Sequence, residues 1–243
     1  MSAFYEEGLT EIHAADYGEV ALSGAAMVLH ALNAANVTSG LIVELGCGPG
    51  LSARQFVDAG FDVEACDVSA SMVKRARALV PEAKIICCDL EAFPWPEQAV
   101  AVVAFGEVLS YADSAKAFDI RLQQILDRTH QVLSDGGRFV FDLVLVGRTG
   151  PTLKRHLHHD RDAYELTVDA VEDPVHRTLD RWIHGTTKTE PIMAIDETHR
   201  QITSEVDDIM GLLLERGYST EFFGDYRKAP IGVPGWGIFS SVK

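Results

Sequence analysis

Five short apolar runs, Leu41 to Leu45, Asp62 to Asp67, Ala83 to Asp89, Val100 to Gly106 and Arg138 to Val144, alternate with amphipathic segments, and this alternation narrows the fold more than any other feature. Val, Ile, Phe and Cys dominate the runs, so each reads as a parallel strand buried on both faces. Between them, Ala70 to Val80 sets Met72, Val73, Ala76 and Leu79 on one stripe and turns Lys74, Arg75 and Arg77 to water, with Ser69 as N-cap and Pro81 as stop. Phe118, Leu122, Ile125, Leu126 and Leu133 form a second stripe, closed by Asp135-Gly136-Gly137. Strand and helix in turn predict an α/β fold, a doubly wound, mostly parallel sheet covered on both faces.

The flanks follow other patterns. Gly18 to Asn36 is rich in Ala and Leu and reads as a helix, whereas Ala163 to Gln201 alternates polar and apolar residues, which predicts two or three inserted antiparallel strands. A helix over Ser204 to Arg216, closed by Gly217, precedes two last strands, Tyr218 to Tyr226 and Trp236 to Val242. With no repeat and no linker, the chain reads as one domain: an N-terminal cap (1–38), a core (39–149), inserted lid strands (150–203), and a last helix and hairpin (204–243).

Charge and cysteine content remove several classes of function. Thirty-six acidic against 21 basic side chains leave a net charge of -15, which disfavours nucleic acid, a ligand bound mainly through Lys and Arg. Cys47, Cys66, Cys87 and Cys88 lie in or beside apolar runs without metal-ligand spacing and read as buried thiols in a reducing, cytoplasmic compartment. The apolar stretches are too short to span a membrane, and the N-terminus lacks the pattern of an export signal.

The sharpest local signal is Val43-Glu44-Leu45-Gly46-Cys47-Gly48-Pro49-Gly50, between the first strand and a helix, where glycines admit a ligand close to the backbone. A dinucleotide fingerprint from Gly46 needs a glycine where Leu51 stands, and no Lys-Ser/Thr follows to make a P-loop. The run does match E-x-G-x-G-x-G, and with Asp67, Asp89-Leu90 and Leu133-Ser134-Asp135-Gly136-Gly137-Arg138-Phe139 it resembles the class I S-adenosylmethionine-dependent methyltransferase superfamily from about residue 38 to 143. The resemblance implies a Rossmann-like seven-stranded sheet whose last hairpin supplies an antiparallel strand. It also implies S-adenosylmethionine as cofactor, S-adenosylhomocysteine as product, and a small-molecule acceptor. Glu44, Gly46, Cys47, Gly48 and Gly50 would then lie near the amino-acid portion and Asp67 at the ribose diol. Asp89 and Leu90 would lie at the adenine, with Val68, Met72 and Gly106 completing the cofactor set. Glu11 to Gly18, Gly106 to Tyr111 and Asp196 to Arg200 look like stretches of functionally unassigned members.

The remaining constellations carry less. His156, His158 and His159 follow a turn at Gly150-Pro151 among charged neighbours and read as a solvated helix face, not metal ligands. Tyr5, Tyr17, Tyr226 and Trp236 are candidate pocket walls. For catalysis the candidates are His13, Glu107 and Tyr111: Glu107 follows the fourth strand, Tyr111 reaches the same pocket if a helical turn begins there, and His13 comes over from the N-terminal cap. If these are not the acceptor site, the inserted strands near His199 are the next expectation. The readings left open are a methyltransferase, a non-catalytic S-adenosylmethionine or nucleoside-binding regulator, and, more weakly, a nicotinamide oxidoreductase. The acceptor atom and the choice between monomer and homodimer stay undecided.

Overall fold

The computed structural model describes residues 5–16, 18–224 and 235–243. Two sheets organise them. The larger has seven strands: β1 (Leu41–Leu45), β2 (Asp62–Asp67), β3 (Lys84–Cys87), β4 (Ala99–Ala104), β5 (Leu133–Val144), β10 (Ser219–Phe223) and β11 (Trp236–Val242), in the order β10-β11-β5-β4-β1-β2-β3. β1 to β5 run parallel, and β11 lies antiparallel to both β5 and β10. The smaller sheet is an antiparallel meander of β6 (Lys154–Asp160), β7 (Tyr164–Asp173), β8 (Thr178–Thr187) and β9 (Ala194–Ile202). The described residues also form six α-helices: α1 (Glu7–Asp16), α2 (Gly18–Ala34), α3 (Leu51–Asp58), α4 (Ala70–Leu79), α5 (Ala115–Val132) and α6 (Val206–Glu215).

The period-two alternation of the central strands divides the large core into two layers. Val43, Leu45, Val102, Phe139 and Phe141 face Phe118, Leu122 and Leu126 of α5 and Ile209 and Leu213 of α6. Ile42, Val63, Ala65, Val103 and Val140 face Ala25, Val28 and Leu32 of α2, Ala53 and Phe56 of α3, and Val73 and Ala76 of α4. Strand order reverses between β1 and β4, whose carboxyl ends therefore open the crevice in which α/β sheets take their ligands. The second sheet folds over that crevice, and Leu9 and Ile12 of α1 pack on its Tyr164, Leu166, Ile183 and Ile195.

Several sequence expectations need correction. Three strands, β7 to β9, occupy the segment expected to hold two or three, and a fourth, β6, precedes them: His156, His158 and His159 lie on it, an edge strand held by its ladder to β7. They are solvated, but not on a helix. Leu79 is 40% exposed, since α4 ends there and its stripe stops at Ala76. Leu133 belongs to β5, because α5 ends at Val132 and the glycine turn lies inside the strand. Of the four cysteines, all free, Cys47 and Cys66 are buried, but Cys87 is exposed and Cys88 half-buried. Among the described residues no helix is long and apolar enough to cross a membrane.

Candidate functional site

The turn after β1 is fastened to β2. Gly46 and Cys47 donate their backbone N–H groups to Cys66 O at 2.8 and 2.9 Å, and Gly48 N donates to Asp67 Oδ2 at 2.9 Å. Its glycines serve different ends. A Cβ on Gly46 would fall 2.1 Å from Val108 and one on Gly50 would fall 3.0 Å from the Ala76 backbone, so these two allow close packing. Gly48 (φ +51°) and Gly106 (φ +83°) face space with nothing within 4 Å of such a Cβ, and both line the crevice. Gly50, a residue of the expected cofactor turn, is the left-handed residue that starts α3 against α4.

Glu44 shares the sheet face of Ile42, which places it beneath the start of α3 at 1% exposure. Ser52 Oγ donates to its Oε1, while Oε2 is buried with no hydrogen-bond partner. Burial pushes the carboxyl up to about 8, against the Ser52 hydrogen bond and with the Asp67 charge. An orphaned carboxylate oxygen beside an open glycine turn suits a cationic amino group, so these residues fit the amino-acid end of the implied cofactor. Asp67, at the end of β2, also accepts from Ser69 N at 2.8 Å, and burial raises its pKa despite the backbone donors. Val68 is 49% exposed and Met72 buried. Asp89 is exposed and accepts from Glu91 N, capping the 3-10 turn Leu90–Ala92. The structure thus lines the chamber with Glu44, Gly46, Cys47, Gly48 and Gly106, and leaves Asp67, Val68, Met72, Asp89 and Leu90 outside its walls.

That chamber, about 360 Å³, runs from the glycine turn to the inner face of the four-stranded sheet. At its middle stands Glu107, 7% exposed and in the left-handed region (φ +63°), a conformation that costs a non-glycine residue about 1 kcal/mol or more. Asp142, at 0% exposure, holds it there: Oδ2 accepts from Gly106 N at 2.9 Å and Oδ1 from Glu107 N. The Glu107 carboxylate meets Arg148 and Arg181 at 2.9 Å each and accepts from Gln201 Nε2 at 3.2 Å. Burial alone would raise its pKa, but the Arg181 and Arg148 guanidinium groups hold it below the usual carboxylate value.

A second polar chain closes the roof. Tyr5 and Tyr111 share a hydrogen bond at 3.2 Å, Tyr111 and His199 Nδ1 another at 3.2 Å, and His199 Nε2 lies 2.8 Å from Glu197 Oε2. His199 is 1% exposed, and burial pushes the Tyr5 hydroxyl up to about 12. Glu197 also accepts from Tyr5 N at 2.7 Å and Glu6 N at 2.9 Å, which ties the N-terminal segment to β9. Tyr111 lies just after the 3-10 turn Val108–Ser110, so no helix begins there; it arrives through an isolated bridge to Gln201. His13 falls within α1 with its side chain outside the described residues. Tyr17 and Tyr226 are also outside them, whereas Tyr5 and Trp236 line the chamber. Glu197 lies in the stretch Asp196 to Arg200 noted in the sequence, whereas Arg148, Arg181 and Asp142 were missing from that reading; an acid inside Phe139-Val140-Phe141-Asp142-Leu143 is the signal that marks Asp142.

Known proteins bear on this arrangement. Residues 43–141 match a family model described as a methyltransferase domain. A malonyl-[acyl-carrier protein] O-methyltransferase of Pseudescherichia vulneris is 27% identical over 161 residues, 64% of this chain; the chain spans 59% of that relative's length. In fold, the chain is similar to an S-adenosylmethionine-dependent methyltransferase from Clostridium acetobutylicum, with TM-score 0.80 and 13% identity over 96% of both chains. It is also similar to S-adenosylmethionine-bound CalS10, an amino pentose methyltransferase from Micromonospora echinaspora, with TM-score 0.75 and 14% identity over 100% of this chain and 98% of that one.

Proposed function

We propose that the chain, with its methyltransferase-domain match over residues 43–141 and its fold, is a class I S-adenosylmethionine-dependent methyltransferase that transfers the methyl group of S-adenosylmethionine to a small-molecule acceptor held beneath the four-stranded sheet. One observation carries this reading: a single chamber has the open glycine turn at one end and the inner face of β7, β8 and β9 at the other. When bound, the cofactor supplies a methyl group already activated by positive sulfur. The chain's own share is then orientation, which contributes up to roughly 7 to 11 kcal/mol in such reactions.

Glu44 and the turn hold the amino-acid portion, and Asp67 takes the ribose diol with two acceptor oxygens. Asp89 and the Leu90 N–H read the adenine beside Val68 and Met72. On the acceptor side, Glu107 fixes the two arginines, and His199, oriented by Tyr111 and Glu197, presents its ring to the chamber. A charge of -15 supports a small molecule over nucleic acid, and four free cysteines support a cytoplasmic setting.

The test is incubation with S-adenosylmethionine carrying a labelled methyl group and a small-molecule extract, read by mass spectrometry. A labelled product with stoichiometric S-adenosylhomocysteine is the expected result. Tight binding of the cofactor with no labelled product from any extract marks a binding protein instead.

A further inference from the structure

The acceptor half of the chamber has an uneven composition. Its walls are mostly apolar, from Leu166, Val168, Leu179 and Ile183 of the lid to Phe105 below. Its charged exceptions are one anion, Glu107, and three cations, Arg148, Arg155 and Arg181. Glu107 offsets one guanidinium and the buried Asp142 carboxylate acts on Arg148, which leaves one positive charge in excess at the acceptor, within a chain whose overall charge is -15. That reversal of sign inside the cavity draws anions in and keeps cations out.

From this arrangement we propose that the acceptor is an apolar carboxylic acid whose carboxylate docks against Arg148 and Arg181. The proposal rests on the methyl-transfer reading and names its substrate class. Each guanidinium is a fork of five N–H donors, of which Glu107 engages one nitrogen in each at 2.9 Å. Arg148 Nη1 is buried without a hydrogen-bond partner, a donor left over by the ion pair and available to a second carboxylate. A carboxylate supplies two acceptor oxygens in the plane such forks match, and a primary ammonium supplies none. The hydrocarbon of the ligand then lies along the alternate inward residues of β7 and β8, while Arg181, between Leu179 and Ile183 on the same face of β8, fixes the end at which the charge sits.

Calorimetry on protein saturated with S-adenosylhomocysteine tests this, with octanoate, octanamide and octylamine as probes that share a chain length and differ in charge. Octanoate should bind at least tenfold more tightly than octanamide, and octylamine most weakly. Arg148→Gln and Arg181→Gln should erase that preference. Because either variant leaves a buried Glu107 short of a partner and is liable to misfold, Glu107→Gln is the second probe: it frees both arginines and should tighten octanoate binding several-fold. Octylamine binding as well as octanoate, equal affinity for all three, or weaker octanoate binding in Glu107→Gln overturns the proposal while leaving the methyl-transfer reading intact. Failure of S-adenosylhomocysteine itself to bind overturns both.

Discussion

Tyr111 and His199 lie 88 positions apart and share a hydrogen bond of 3.2 Å, joining the loop after β4 to the lid strand β9. The other ring nitrogen of His199 lies 2.8 Å from Glu197, so an N–H there donates to a carboxylate and fixes the ring plane. In the neutral ring, Nδ1 then accepts from the Tyr111 hydroxyl. Tyr111→Phe should lower turnover about tenfold or more and change S-adenosylhomocysteine affinity less than twofold, because its hydroxyl meets His199 on the proposed acceptor side. Initial rates set beside calorimetry on the same preparations check the split. Equal losses in both would place Tyr111 in cofactor binding.

Cofactor binding should be linked to a proton at Glu44. With its pKa near 8, roughly nine-tenths of the population carries the proton at pH 7, and an ammonium group placed beside it expels that proton. Affinity for S-adenosylhomocysteine should therefore rise by up to about tenfold per pH unit between 6 and 8, then level off. Calorimetry at pH 7 in phosphate and in Tris should show release of just under one proton, absent in Glu44→Gln. In the ligand-free protein the sign is opposite. A carboxyl raised on folding gives stability that is complete below about pH 4.5 and is lost as pH climbs through about 8.

Asp67→Ala should weaken S-adenosylhomocysteine binding by several kcal/mol. Hydrogen bonds to a charged group contribute about 1.5 to 3 kcal/mol each, and a ribose diol makes two. The substitution also releases Gly48 N, so the turn that frames the ligand loosens with it. Unchanged affinity, with circular dichroism intact, would remove Asp67 from the site.

Asp142→Ala should lower unfolding stability by roughly 3 kcal/mol or more, since it strips two backbone donors of a buried charged acceptor and frees a left-handed Glu107. Urea denaturation measures the loss. A midpoint equal to that of the parent protein would show that the turn holds itself.

The central sheet was legible from residue pattern because its strands are buried on both faces, and for β1 and β2 the expected and observed ends coincide. β6 was not. Lys154-Arg155-His156-Leu157-His158-His159-Asp160 carries almost no apolar signal, and it is a strand because β7 pairs with it along its length. α1 escaped notice for a related reason: Leu9 and Ile12, one turn apart, are its described apolar contacts, and they acquire a partner only once the lid exists. Of the site, the glycine turn and Glu107 were local in sequence and visible. Arg148, Arg181 and Gln201 gain their meaning from a carboxylate 41, 74 and 94 positions away, a relationship that no window of sequence contains.

Tyr5 is held from two directions: its N–H by Glu197 of the lid and its carbonyl by Ser69 Oγ at 2.9 Å, two residues from Asp67. One residue therefore belongs to the donor end and the acceptor end of the chamber at once, and its ordering free energy is shared between them. A ligand that draws Tyr5 toward one of these partners changes its fit to the other, which would couple the two ends of the chamber. Reciprocity then requires that an acceptor tighten the nucleoside by the same factor by which the nucleoside tightens the acceptor.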